Sequence, residues 1–211
     1  MENEHWLAVL RAHILPQESY EEDTLLVAQR LLGTVLVLRD AEQCRAAVIT
    51  EVEAYCGSED KACHASRGYT PRTSVMFGPP GFWYVYLIYG MYYCLNIVTE
   101  REGYPAAVLI RGAIPYAGFP DGTRLDGPGK LCRAFAIDKR FNATPGFGKH
   151  AALAVSDVGL RPHVSEIQQT PRIGVDYAGE YKNKPWRWVW NVRERSLRQK
   201  LNEHLRSVKK S

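Results

Sequence analysis

Apolar positions recur along this chain with two different periods, and the switches between them mark its elements. After a polar lead, residues 5–13 carry a helical pattern that Pro16 closes. In TLLVAQRLL the apolar residues fall at helical spacing, with Asp23 as N-cap and Gly33 as terminator, which predicts a helix over 24–32. Alternation then takes over: TVLVLR (34–39) and CRAAVITEVEAY (44–55) read as strands joined by the polar turn DAEQ. The stretch YVYLIYGMYYCLN (84–96) sets Tyr84, Tyr86 and Ile88 on one face and Val85, Leu87 and Tyr89 on the other. Gly90 breaks that pattern, giving a hairpin with strands over 84–89 and 91–98 and Tyr89 at its exposed tip. AAVLIRGA (106–113) is a further strand, a helix is expected over 130–137, and ALAVS (152–156) is a short strand within an otherwise irregular 139–171. Residues 171–190 mix strand-like runs with loops, and the alternating Trp186, Trp188 and Trp190 point to a buried sheet face. The basic stretch 195–210 reads as a partly amphipathic helix with an ordinary solvated face.

Composition adds little to that outline. The 211 residues are 45% hydrophobic and 24% charged, values of a globular chain able to bury a sizeable core. Lysine and arginine exceed aspartate and glutamate by 27 to 23, an excess that permits a polyanionic partner without requiring one. Acidic residues gather early and basic ones late. The five cysteines, Cys44, Cys56, Cys63, Cys94 and Cys132, have no disulfide-framework spacing, and no signal peptide is expected, so reduced thiols in the cytoplasm are the simplest reading. No apolar run approaches the roughly 20 residues of a membrane-spanning helix.

Candidate chemistry begins on the second strand, where period two puts Glu51, Glu53 and Tyr55 on one face. Carboxylates inside an apolar strand are either an exposed face or ion pair, or a general base held rigidly. The hairpin tyrosines are either core packing or a stacking wall beside that base, and an exposed tyrosine at the tip is placed to act as a wedge between stacked bases. The long segment 57–81 carries Arg67 and Arg72, and its His64 fits a hydrogen-bonding role better than a metal-ligand one. Cys56, Cys63 and His64 lack the further ligands of a zinc site, so no metal is expected. Arg111, interrupting an apolar strand, needs an anion, either a structural carboxylate or Glu53 with a water. Gly127-Pro128-Gly129-Lys130 opens a helix in a way that suits a phosphate or merely a turn.

Taken in order, ITEVEAY, EDKACHASRG, TPRTSVMF, PPGFWYVYLIYGMYYCLNIV, AAVLIRG, GPGKLCRAFAI and PRIGVDYAGE resemble the alkyladenine (3-methyladenine) DNA glycosylase family in its bacterial members, over about residues 20–190. The resemblance implies an α+β fold: one compact domain over 1–211, with a curved, largely antiparallel sheet, flanking helices and a protruding aromatic hairpin. It implies a monofunctional enzyme of base excision repair, needing no cofactor or metal. Such an enzyme acts on double-stranded DNA from the minor groove, flips out an alkylated or deaminated purine (3-methyladenine, hypoxanthine or ethenoadenine) and hydrolyses its N-glycosidic bond; a monomer is expected, since nothing in the sequence demands more. By the same resemblance Glu53 is the general base and Arg111 helps hold the attacking water. Tyr55, Tyr86 and His64 form the base pocket, Asn96 disfavours guanine, and Tyr89 intercalates. Cys63 departs from the small apolar residue usual at its position and is expected to alter the pocket's shape. Arg67, Arg72 and Lys130 are candidate phosphate contacts. Two classes compete: a non-catalytic binder of distorted DNA, which predicts that Glu53→Gln leaves function unchanged, and a small-molecule hydrolase or transferase using Glu51, Glu53 and His64 on nucleosides, which predicts activity on free nucleosides and little of the steep salt dependence of binding to DNA phosphates.

Overall fold

The computed structural model describes residues 5–39, 44–88 and 90–208. Helix α1 (His5–Ala12) leads to α2 (Thr24–Leu31), whose first turn is capped by the Asp23 carboxylate accepting from the Leu25 and Leu26 N–H groups at 2.9 and 3.2 Å. Strands β1 (Val35–Arg39) and β2 (Cys44–Cys56) follow, then the hairpin of β3 (Trp83–Ile88) and β4 (Tyr92–Val98), then β5 (Ala106–Ala117) and the two-residue β6 (Leu125–Asp126). Helix α3 (Pro128–Ala134), β7 (Leu153–Ser156), β8 (Ile167–Thr170), β9 (Arg187–Trp190) and α4 (Glu194–Val208) complete the order. The strands form one sheet with the path β3-β4-β5-β2-β1-β7, while β6 adds to β5, β9 to β2 and β8 to β9, every pairing being antiparallel.

A double irregularity at the centre of this sheet decides where the carboxylates go. Ala47 and Ile49 of β2 pack in the main core, and strict alternation would send Glu51 and Glu53 there too. Instead the register runs Ile49 to Ala113, Glu51 to Gly112 and Val52 to Ile110, which leaves Thr50 on β2 and Arg111 on β5 without a cross-strand partner. Each extra residue reverses the phase of its strand. Beyond the bulge Val52 and Ala54 occupy the core face, and Glu53, Tyr55, Leu109 and Arg111 turn to the opposite side. The sheet thus has one continuous apolar face, covered by α2 and α3, and a second face divided between a helix-covered end and an open cavity.

The helix-covered end bears out the amphipathic reading of the C-terminal stretch and goes beyond a purely solvated face. Leu197, Leu201 and Leu205 of α4, at helical spacing of four, are buried against Val35, Val37, Val48 and Trp190, so the helix is a packed cover as well as a basic surface. Helix α3 also differs from the expected 130–137. It begins at Pro128, where a first-turn proline loses no hydrogen bond, and it is over before Ala136, whose φ of 55° is left-handed. Strand β8 was not expected, because IQQT has only one strongly apolar residue and pairs only with β9. Trp188 and Trp190 are buried as the alternation implied, whereas Trp186 precedes the strand.

Candidate active site

The open part of the second sheet face is a cavity of about 500 Å³. Its lining brings together Glu53 and Tyr55 from β2, His64 from the loop after it, Tyr86 from β3, Asn96 from β4 and Arg111 from β5, residues up to 58 positions apart in sequence. Lys130 lines the same cavity from the start of α3. Arg67 and Arg72 are exposed and outside the lining, and Tyr89 lies outside the described residues.

Glu53 is fully buried, and both of its oxygens are engaged. Oε1 accepts from the Ile173 N–H at 2.9 Å and Oε2 from the Tyr55 hydroxyl at 2.9 Å, while Arg111 Nε stands 3.6 Å from Oε1. Burial raises this carboxyl above its ordinary value; Arg111, the Ile173 N–H and the Tyr55 hydroxyl pull it back, and Glu51 adds to the rise. Tyr55 is itself pushed well up by burial and by Glu53, so it keeps its proton and serves as donor. Arg111 is closer to Glu51, at 2.8 Å, than to Glu53, and a second arginine, Arg187 of β9, reaches Glu51 at 2.6 Å. The expected Arg111–Glu53 pairing is therefore the longer of two competing contacts.

The aromatic wall is built by the hairpin pattern. Tyr84 and Tyr86 face the cavity with centroids 5.3 Å apart, and Val85 between them enters the core. His64 packs edge-on against Tyr86 at 4.5 Å, and its Nδ1 is 3.0 Å from the Tyr84 hydroxyl. Burial, reinforced by Arg72 and Arg67, lowers the His64 pKa to about 4, so its ring is neutral at physiological pH and available as a hydrogen-bonding group. The Asn96 amide is anchored by an Nδ2 bond to the Tyr84 carbonyl at 3.0 Å. Arg72 rests 5.1 Å from the Tyr86 centroid and donates to the Leu87 carbonyl at 3.4 Å, so it supports the wall from an exposed position. Lys130 pairs with Asp126 at 3.1 Å, half exposed at the cavity's edge. Cys63 is buried outside the lining, in the cluster that holds Tyr84 and packs against Tyr55 and Tyr86, so it bears on the cavity's shape from behind the wall rather than from its surface.

Several contributors escaped the sequence reading. Arg172 and Asp60, both fully buried, form a two-point ion pair at 2.5 and 2.9 Å. Arg172 also donates to the Ala54 carbonyl and lies 4.8 Å from the centroid of Tyr55. That pair fixes the loop whose next residue, Ile173, donates to Glu53. PRIGVDY and EDKACH were visible as motifs, but nothing in either pattern marks a buried pair between a loop arginine and a loop aspartate 112 residues apart. Cys94 and Tyr177 line the cavity as well. Of the residues lining the cavity, Tyr92, Ile173 and Tyr177 also expose large apolar or aromatic surfaces, and Leu87 and Met91 do so elsewhere on the hairpin. All five cysteines are free thiols, and among the described residues no group of three or more His, Cys, Asp or Glu side chains could hold a metal ion. No helix among them is long and apolar enough to cross a membrane.

Comparison with known proteins supplies a context for this geometry. The family model described as methylpurine-DNA glycosylase (MPG) matches residues 18–194. A protein of Myxococcus xanthus is 47% identical over 180 residues, covering 83% of this chain and 89% of that protein. One of Sodalis glossinidius is 52% identical over 175 residues, covering 83% and 95%. One of Methanocella arvoryzae is 49% identical over 187 residues, covering 83% and 91%. Each of the three carries the provisional name 3-methyladenine DNA glycosylase.

Proposed function

The chain belongs to the methylpurine-DNA glycosylase family, and from that premise we propose that it receives a damaged purine flipped from duplex DNA and hydrolyses its N-glycosidic bond, with Glu53 as general base. The observation that carries this reading is the buried Glu53 carboxylate, fixed by two donors at the floor of a cavity walled by tyrosines. A base inside a duplex is out of reach of such a recessed group, so the nucleotide must be turned out, at a cost of a few kcal/mol that is smallest for damaged or mispaired bases. Tyr89, next after Ile88 in the sequence, is the residue assigned to fill the vacated space from the minor-groove side. The exposed Leu87, Met91 and Tyr92 suit that end of the hairpin to packing against an unstacked base step rather than to bulk water.

Inside the cavity the purine stacks on Tyr55 and Tyr86, each contact contributing about 1–3 kcal/mol. An N-alkylated purine is cationic, which strengthens its attraction to tyrosine faces and makes it a good leaving group. Neutral His64 offers a hydrogen bond to the base edge, and Asn96, held by its strand partner, limits which exocyclic groups fit. Glu53 takes a proton from water as that water attacks C1′, and its negative charge stabilises the cationic sugar that develops as the bond breaks. Arg111 helps place the water. The products are a free purine and an unbroken strand with an abasic site; no lysine is required as a nucleophile. The substrate range proposed is 3-methyladenine with hypoxanthine and ethenoadenine, on double-stranded DNA bound by a monomer.

Incubation with a labelled duplex bearing one such lesion tests the reading. It requires a free base and a strand that breaks only after alkali. Salt-sensitive binding with no base released from any lesion would instead make the protein a damaged-DNA binding module.

A further inference from the structure

Glu53 is the end of a row of alternating charges, Arg187, Glu51, Arg111 and Glu53, that crosses three strands. Arg187 on β9 is itself fixed by an Nη1 bond to Thr170 Oγ1 at 2.9 Å on β8. Glu51 sits at the bulge, opposite Gly112, and a Cβ at that glycine would come within 3.0 Å of Glu51 Oε2 and 3.1 Å of its Cβ. The glycine thus leaves the seat that Glu51 occupies. From this seat Glu51 holds Arg111 at 2.8 Å and keeps it 3.6 Å from Glu53. The side chains of Arg111, Glu51 and Arg187 are each less than one-fifth exposed, so their charges are only partly screened by water.

We infer that Glu51 and Arg187 are positioning residues that govern how strongly Arg111 acts on Glu53, an inference that rests on the reading of Glu53 as general base. Neither is itself part of the cavity lining. Glu51 competes with Glu53 for the one guanidinium, and Arg187 relieves Glu51 of part of its need for Arg111. The other groups around Glu53 leave this balance to the row: Tyr55 and the Ile173 N–H each hold one carboxylate oxygen, and Arg172 is taken up by Asp60. His64 lies against Tyr84 and Tyr86, and Cys94 stays a neutral thiol because burial raises its pKa.

The two residues must then act in opposite directions. Removing the Glu51 charge frees Arg111 to close on Glu53 and favours the ionised base. Removing the Arg187 charge leaves Glu51 with Arg111 alone and disfavours it. The experiment is the pH profile of single-turnover release from a duplex carrying an N-alkylated purine, whose leaving group is cationic without protonation. Glu51→Gln is expected to move the acidic limb to lower pH and Arg187→Gln to higher pH, each by about one pH unit, with the double variant matching Glu51→Gln because Arg187 acts through Glu51. Arg187→Lys, which keeps the charge, should leave the midpoint in place, so the Arg187 pair decides the matter even if Glu51→Gln does not fold. Midpoints that stay fixed, or move the same way in both variants, would overturn the inference. A Glu53→Gln control separates the two levels: release by that control overturns the general-base reading itself, whereas its silence beside unmoved midpoints overturns only the positioning role.

Discussion

The Tyr55 hydroxyl donates to Oε2 of Glu53 at 2.9 Å, so the same side chain that walls the cavity also helps to keep its carboxylate ionised. Tyr55→Phe preserves the ring and removes only the donor. A hydrogen bond to a charged group contributes about 1.5–3 kcal/mol, and its loss lets burial raise the Glu53 pKa further. The ionised form then needs higher pH, so the acidic limb of base release should shift upward while affinity for damaged duplex is kept. A pH profile beside a binding titration checks both.

Arg172 and Asp60 form the most deeply buried ion pair among the described residues, with neither side chain exposed. Asp60→Ala leaves the guanidinium buried beside Tyr55 without its counter-charge, and breaking one side of such a pair costs about 3–5 kcal/mol. Urea denaturation should show a loss of that size. A similar loss is expected for Arg172→Met, reduced by whatever new apolar packing the methionine makes against Tyr55 and Trp186.

His64 gives a pH dependence of stability whose sign is fixed by its surroundings. Its folded pKa is about 4 against 6.5 for the ordinary side chain, so between these values the unfolded chain binds more protons than the folded one. Its contribution is complete above about pH 6.5 and is lost as the pH falls through that window toward 4. Denaturation of wild type and His64→Gln at pH 7 and pH 5 should show the smaller drop in the variant.

Lys130 stands half exposed at the cavity's edge, paired with Asp126. If it meets a phosphate of bound duplex, Lys130→Ala weakens binding of damaged and undamaged duplex alike and lowers the slope of log affinity against log salt by about 1. A salt series by fluorescence anisotropy measures that slope.

Much of this architecture was legible in the amino-acid sequence because the relevant signals are local. The Asp23 cap, the Gly90 turn and the alternation of Tyr84, Val85 and Tyr86 depend on neighbours within a few residues, and the structure follows each of them. The motif resemblance brought Glu53, Tyr55, His64, Tyr86, Asn96 and Arg111 to one cavity. What escaped depends on partners distant along the chain. Alternation alone could not show that Thr50 and Arg111 bulge out of register, although the burial of both Ile49 and Val52 on one face depends on it. Nor could it show that Arg111 would favour Glu51, because Arg187 arrives from a strand 136 residues away from its partner. The α4 leucines at 197, 201 and 205 gave the partly amphipathic reading, but the density of arginine and lysine around them hid that the stripe packs as a buried cover.

Single-turnover release of base from a duplex carrying one 3-methyladenine-like, hypoxanthine or ethenoadenine lesion, compared between wild type and Glu53→Gln, bears on the assigned chemistry most directly. General-base assistance is worth about 10²–10⁴-fold, so wild type should release base while the variant, still binding the duplex, falls by at least that lower factor. Equal rates in the two proteins would remove Glu53 from the role of base.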